Sequence, residues 1–267
     1  MDPRGRHVLI TGASSGIGRT AALALARRGA RLTLAARRGP ELEKAAAECR
    51  AAGAAACAAI TADVSRRDEC SRLVREAEAA NGPVDAVVNN AGFAIFDAIA
   101  EARAEELENM MQTNYFGTVW CTQAVLPGML ARGEGAIVNV ASIAGLMAYA
   151  RMGGYCATKF AVTGFTEALR AEVIDRGVSV SLICPGTTET PFFEKAERGK
   201  MPAASRLLLA IPPERVATAI VRAIETGRAR TVLPLLAAFY ARFNAILPGP
   251  AQFLMRQVSR WIERRSR

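Results

Sequence analysis

The chain has 267 residues, 51% of them hydrophobic and 22% charged, enough to bury a core as one large domain or two small ones. Its net charge of +9 comes mostly from arginines dispersed along helical stretches, and with only 6% aromatic content no basic run interleaves with aromatics, which argues against a nucleic-acid groove. His7 is the sole histidine and the six cysteines form no C-x-x-C pair, so no metal site is expected.

Met1 to Arg6 leads straight into the strand-like His7–Thr11, leaving no room for the apolar core of a signal peptide, and a cytoplasmic protein is expected. The longest apolar run, Val232–Ala241, is about half a membrane span. Further strand-like runs follow at Arg31–Ala36, Ala55–Ile60, Val84–Asn89, Ala136–Ala141, Val178–Cys184 and Arg230–Leu233. Between them lie helical patterns at Ile17–Arg28, Glu41–Ala52, Arg66–Ala80, Ala104–Ala131, Tyr155–Arg176 and Pro213–Thr226. Runs such as Ile137-Val138-Asn139-Val140 read as buried on both faces. The alternation predicts an α/β fold, a Rossmann-type doubly wound sheet of about seven parallel strands with helices on both faces. Cys49, Cys57, Cys70, Cys121, Cys156 and Cys184 sit mostly in apolar segments and are expected as buried free thiols.

The first strand-to-helix turn admits two readings. Gly12-Ala13-Ser14-Ser15-Gly16 fits the G-x-S-x-G elbow of a serine hydrolase. That elbow needs a histidine after the serine, and His7 precedes it, at the far end of the first strand, so the match is a coincidence of small residues. The same turn suits a dinucleotide: Gly12 permits the tight turn, Gly16 the approach of a pyrophosphate, and Gly18 close packing of helix on sheet, with Ser14 and Ser15 supplying hydroxyls. An NAD site usually carries a carboxylate at the end of the second strand. Here Leu34-Ala35-Ala36-Arg37-Arg38 offers two guanidiniums instead and no acid before Glu41, so NADP is favoured over NAD.

Tyr155 and Lys159 stand four apart in a helical stretch and share one face. Lowering a tyrosine pKa from near 10 to about 7 takes roughly 4 kcal/mol. One ammonium at ~4 Å in an effective dielectric of ~20 supplies about that. Tyr155 is therefore the expected general acid of carbonyl reduction, or base of alcohol oxidation, tuned by Lys159. Ser142, just past the carboxyl end of the fifth strand, is placed to hydrogen-bond a substrate oxygen. The bland alternatives are a helix cap for Ser142, a solvated Lys159 and a core-edge Tyr155.

Taken together, TGASSGIG (11–18), Asp63-Val64, NNAG (89–92), Asn114, Ser142, Tyr155-x-x-x-Lys159 and Pro185-Gly186 resemble the classical short-chain dehydrogenase/reductase family over about residues 5–235. The resemblance implies a nicotinamide-dependent oxidoreductase with a Ser-Tyr-Lys-Asn site, in which Asn114 holds a water on a proton relay and Lys159 also bonds the nicotinamide ribose. It extends the cofactor site to Ile17 in the glycine loop. It also places Asp63 on the adenine amino group, Val64 beside the ring, Asn89, Ala91 and Gly92 along the adenosine ribose and fourth strand, and Pro185, Gly186, Thr188 and Thr190 near the nicotinamide. A homodimer or homotetramer is implied as well.

Residues 1–233 are read as the dinucleotide-binding catalytic domain, with a substrate loop at about 186–213, and 234–267 as a helical extension. Leu146, Met147, Tyr149, Met152, Phe192, Phe193 and Leu207-Leu208-Leu209 suggest a hydrophobic carbonyl or alcohol substrate. The final helix puts Leu254, Val258, Trp261 and Ile262 on one face and Arg256, Arg260, Arg264 and Arg267 on another, which suits either a peripheral membrane contact or packing on protein. The competing functional class is a dinucleotide-binding regulator with little turnover.

Overall fold

A computed structural model describes residues 1–192 and 210–265, with side chains as far as Val258. Phe193 and Leu207–Leu209 of the expected substrate wall, and the side chains of Arg260, Trp261, Ile262, Arg264 and Arg267, lie outside the described residues.

Seven strands, β1 (His7–Thr11), β2 (Arg31–Ala36), β3 (Ala56–Thr61), β4 (Ala86–Asn89), β5 (Gly135–Val140), β6 (Val178–Pro185) and β7 (Arg230–Leu233), form one sheet in the order β3-β2-β1-β4-β5-β6-β7. Every pair is parallel, with His7 opposite Arg31 and Val8 opposite Ala86 on the two sides of β1. Both faces are covered. The helices Gly16–Ala26, Gly39–Ala51 and Pro213–Thr226 bury Leu25, Leu42 and Ile220 against Val8, Ile10 and Val138. On the opposite face, Arg67–Asn81, Gly117–Arg132 and Gly153–Val173 bury Leu73, Met129 and Leu169 against Leu9, Val87 and Ile137. The alternation of partners along β1 follows from strand pleating, which is why continuous apolar runs were needed. The order reverses between β1 and β4, so their carboxyl ends splay and open a crevice there.

The stretch expected as one helix, Ala104–Ala131, is instead three pieces. An α-helix spans Ala104–Met111, a π-helical segment Gln112–Phe116, and a second α-helix Gly117–Arg132. The wider π turn inserts an extra residue and rotates the register, burying Asn114 to 1% exposure between the glycine-rich end of β4 and the helix Gly153–Val173. Beyond β7, the helix Leu235–Ile246 lays Ala237, Tyr240 and Ala241 on a cluster containing Phe96, Tyr149, Met152 and Tyr155, and the helix Pro248–Arg265 follows it.

Candidate active site

At the end of β1, Gly12 has φ +67°, and a Cβ there would stand 2.8 Å from Ala91 Cα. A Cβ on Gly18 would meet the Gly12 carbonyl oxygen at 2.5 Å, so the helix Gly16–Ala26 sits as close to the turn as glycine alone allows. Its N-cap, Ser15, makes no side-chain capping bond, and the helix N-terminus faces the cleft lined by Gly12, Ser14, Ser15, Gly16 and Ile17. The orphan N–H groups and positive end of the helix dipole are thereby left for an anion. Arg38 reaches over from the end of β2 and donates to the Ser14 and Ser15 hydroxyls at 3.1 and 3.0 Å, with Glu41 3.6 Å from its other terminal nitrogen. Arg37 is exposed and also lines the cleft.

The loop is lashed to the neighbouring strand by a residue the motif reading passed over. Asn90 donates to the carbonyls of Thr11 and Gly12 at 3.0 and 3.2 Å, while the Thr11 hydroxyl accepts the backbone N–H groups of Asn90 and Ala91. Asn89, expected along the adenosine ribose, points the other way. Its amide donates to Thr122 and Asn139 beneath the sheet, and it does not line the cleft. The correction is one of pleat parity: within β4 the Asn89 side chain faces the helix layer, whereas Asn90 lies just past the strand. Ala91, Gly92, Val64 and Asp63 do line the cleft, the Asp63 carboxylate accepting from the Ser65 N–H and hydroxyl.

On the far side stand Pro185, Gly186, Thr188 and Thr190. The Thr188 hydroxyl donates to the Gly186 carbonyl at 3.0 Å, and the Thr190 methyl group would meet a Cβ on Gly16 at 3.2 Å. The two walls of the cleft are thus nearly in contact at that point.

Ser142, Tyr155 and Lys159 converge between these walls, all lining the cleft and all less than a tenth exposed. The Ser142 oxygen accepts the Ala144 N–H at 3.1 Å, so it does cap a short 3-10 turn, and its hydroxyl also donates to the Pro185 carbonyl at a long 3.3 Å. The Tyr155 ring is held edge-on by Phe96 and tilted against Phe192. Lys159 Nζ donates to the Val140 carbonyl at 3.0 Å and lies 5.8 Å from the centre of the Tyr155 ring, on the same side of the helix.

Burial acts against the ionisation expected for this pair. Burial of the phenol, opposed only in part by a hydrogen bond with Ser142, pushes Tyr155 above its ordinary pKa. Lys159 does not offset that, and the same burial lowers its own pKa to about 8. Desolvation is the largest influence on both groups. Burial thus favours the protonated phenol.

Asn114 stands across Gly92 from Lys159, a Cβ on that glycine falling 3.0 Å from the Asn114 side-chain oxygen and 3.6 Å from Lys159 Nζ. It does not line the cleft. Its side-chain oxygen accepts the Phe93 N–H, and its amide donates to the Phe93 carbonyl and the Thr158 hydroxyl, so the whole side chain braces the Phe93 segment instead of facing the cleft. Among the expected substrate-wall residues, Tyr149, Met152 and Phe192 line the cleft, and Phe93 and Ile143 join them, whereas Met147 is packed in the cluster behind. Leu146 packs elsewhere, against Ala141 and Val162. The Tyr149 hydroxyl is buried there with no hydrogen-bond partner. His7 lies at the opposite end of β1, its ring nitrogens on the Gly82 carbonyl and Thr33 hydroxyl, which removes any histidine from Ser14.

Residues 6–200 match the family model for short chain dehydrogenase. The chain is 34% identical to ketoacyl reductase HetN of a Nostoc strain over 86% of its own length and 78% of the relative's. It is 33% identical to epidermal retinol dehydrogenase 2 of Mus musculus, over 91% and 79% of the two chains. A crystal structure of a short chain dehydrogenase/reductase from Burkholderia phymatum in complex with NAD superposes with a TM-score of 0.84 at 30% identity, covering 92% of this chain and 94% of that one. With the parallel sheet, the crevice and these matches in hand, the chain belongs to the short chain dehydrogenase family, whose members are nicotinamide-dinucleotide oxidoreductases.

Proposed function

We propose that the protein is an NADP(H)-dependent oxidoreductase acting on a hydrophobic carbonyl or alcohol, with Ser142, Tyr155 and Lys159 as its catalytic residues. The observation that carries this is the meeting of those three side chains in the same cleft as the uncapped helix behind Gly12, Gly16 and Gly18.

The chain's residues fit a dinucleotide. A Cβ on Gly12 would be barred by Ala91, so the backbone floor stays bare, and the uncapped N-terminus after Ser15 suits a pyrophosphate. Arg37 and Arg38 would take a 2′-phosphate, Asp63 and Val64 the adenine end, and Gly186, Thr188 and Thr190 the nicotinamide end. Preference for NADP rests on the two arginines and on the lack of an acid at the end of β2 before Glu41. When bound, the nicotinamide supplies or accepts the hydride.

The residues then divide the remaining work. Tyr155, neutral because burial raises its pKa, gives its phenolic proton to the substrate oxygen during reduction. The Ser142 oxygen is fixed by the Ala144 N–H while its proton goes to the Pro185 carbonyl at a long 3.3 Å, so the hydroxyl turns readily to the same oxygen and stabilises its growing negative charge. Lys159, a cation buried behind the tyrosine ring, favours the phenolate left after transfer. Asn114 acts as a positioning residue through Phe93 and Thr158. Phe93, Met152 and Phe192 give the substrate an apolar wall, and the two named relatives, a ketoacyl reductase and a retinol dehydrogenase, are consistent with a hydrophobic substrate.

The test is NADPH-dependent reduction across a panel of hydrophobic ketones and aldehydes, with wild type beside Tyr155→Phe. The expected result is turnover lowered about 1,000-fold in the variant with NADPH binding retained. Equal rates would remove Tyr155 as the acid. Tight NADPH binding with no turnover on any carbonyl would favour a dinucleotide-binding regulator.

A further inference from the structure

Ten large hydrophobic side chains are exposed among the described residues, and seven of them fall within Leu235–Leu254. Leu235, Leu236 and Phe239 are each 70% exposed and Ile246 76%, with Leu247, Phe253 and Leu254 beyond them. At helical spacing Leu235, Phe239, Arg242 and Ile246 fall on one stripe. The opposite side of the same helix carries the small and aromatic residues Ala237, Tyr240 and Ala241 that pack on the body of the protein. Its outward face is therefore the more apolar one, the reverse of what a helix meeting water carries.

What covers that face is indicated by charge. Residues 234–267 hold six arginines and one glutamate, Glu263, and of the arginines Arg242 and Arg256 are exposed. Two copies joined through this face by a two-fold axis would bring two such basic segments together, a like-charge contact that works against self-association. No helix among the described residues is long and apolar enough to cross a membrane. An apolar stripe with arginine within and beside it matches a helix lying in the surface of an anionic bilayer.

We propose that Leu235–Leu254 is a docking surface for an anionic lipid bilayer, with Leu235, Phe239 and Ile246 entering the acyl boundary and Arg242 and Arg256 meeting the headgroups. The surface sits one helix thickness from Tyr149 and Met152, so docking holds the apolar wall of the cleft beside the bilayer. Uptake of a hydrophobic substrate from that bilayer rests on the function proposed above; the docking itself does not.

The experiment is co-sedimentation of the full chain with vesicles of phosphatidylglycerol and phosphatidylcholine, and with phosphatidylcholine alone. The full chain should pellet with the anionic vesicles, and Leu235→Gln/Phe239→Gln/Ile246→Gln should partition about 100-fold more weakly. Arg242→Gln/Arg256→Gln should lose about 30-fold on anionic vesicles and little on neutral ones. Retained dinucleotide binding checks that both variants are folded. A wild type that stays in the supernatant, or variants that pellet like it, would overturn the proposal. So would a wild-type dimer that ignores vesicles and dissociates in the triple variant, since the face would then join two copies.

Discussion

Lys159→Met turns the buried cation into a measurable quantity. Lys159 is 4% exposed, its ammonium has one bond, to the Val140 carbonyl, and burial takes its pKa from 10.5 to about 8. Below pH 8 the lysine is charged in both the folded and unfolded chain, and folding carries a cost of about 3 kcal/mol for burying it. Methionine has similar length and no charge, but it forfeits the bond to Val140, worth about 1 kcal/mol. The variant should therefore be more stable than wild type by about 2 kcal/mol near neutral pH, while losing turnover. As the pH rises from about 8 toward 10.5, the unfolded chain holds the proton at this site and the folded chain releases it, so wild-type stability climbs and the difference closes. Urea unfolding of both proteins at pH values below and within that window gives the comparison. A variant less stable near neutral pH, or a difference that stays constant with pH, would refute a desolvated ammonium at this position.

Three further outcomes are expected. Arg37→Ala should weaken NADPH binding by about tenfold or more while leaving NADH nearly unchanged, measured by calorimetry; an unaltered affinity ratio would remove this arginine from the 2′-phosphate site. Tyr149→Phe deletes a buried hydroxyl that has no partner and should raise the melting temperature by about 2–4 °C, so a fall in Tm would mean the hydroxyl is satisfied in solution. Gly18→Ala forces a methyl toward the Gly12 carbonyl and the Asn90 amide and should cost about 1–3 kcal/mol together with dinucleotide affinity; an unshifted urea midpoint would show that the helix yields freely.

The sheet was legible because strands covered on both faces must be apolar throughout, and Val87-Val88 and Ile137-Val138 carry that signature whatever surrounds them. The glycine loop and the Tyr155/Lys159 pair were legible because their spacing alone sets their neighbours. Four things were not. The π turn at Gln112–Phe116 leaves the helical composition of its segment intact, so no local pattern announces it. The exchange of Asn89 for Asn90 hangs on where β4 ends, by a single residue. The ionisation of Tyr155 depends on Phe96 and Phe192, which come from distant parts of the chain to exclude water from the phenol. The outward apolar face of Leu235, Phe239 and Ile246 was not read either, because the orientation of that helix is set by how Ala237 packs on the main body.

The interlock of Asn90 and Thr11 with the turn at Gly12 bears on binding rate as well as shape. A loop pinned by four hydrogen bonds to the next strand has little freedom to surrender when a ligand arrives. The glycine-loop side of the crevice is therefore expected to keep one shape before and after a dinucleotide binds, so that little binding free energy is lost in ordering it.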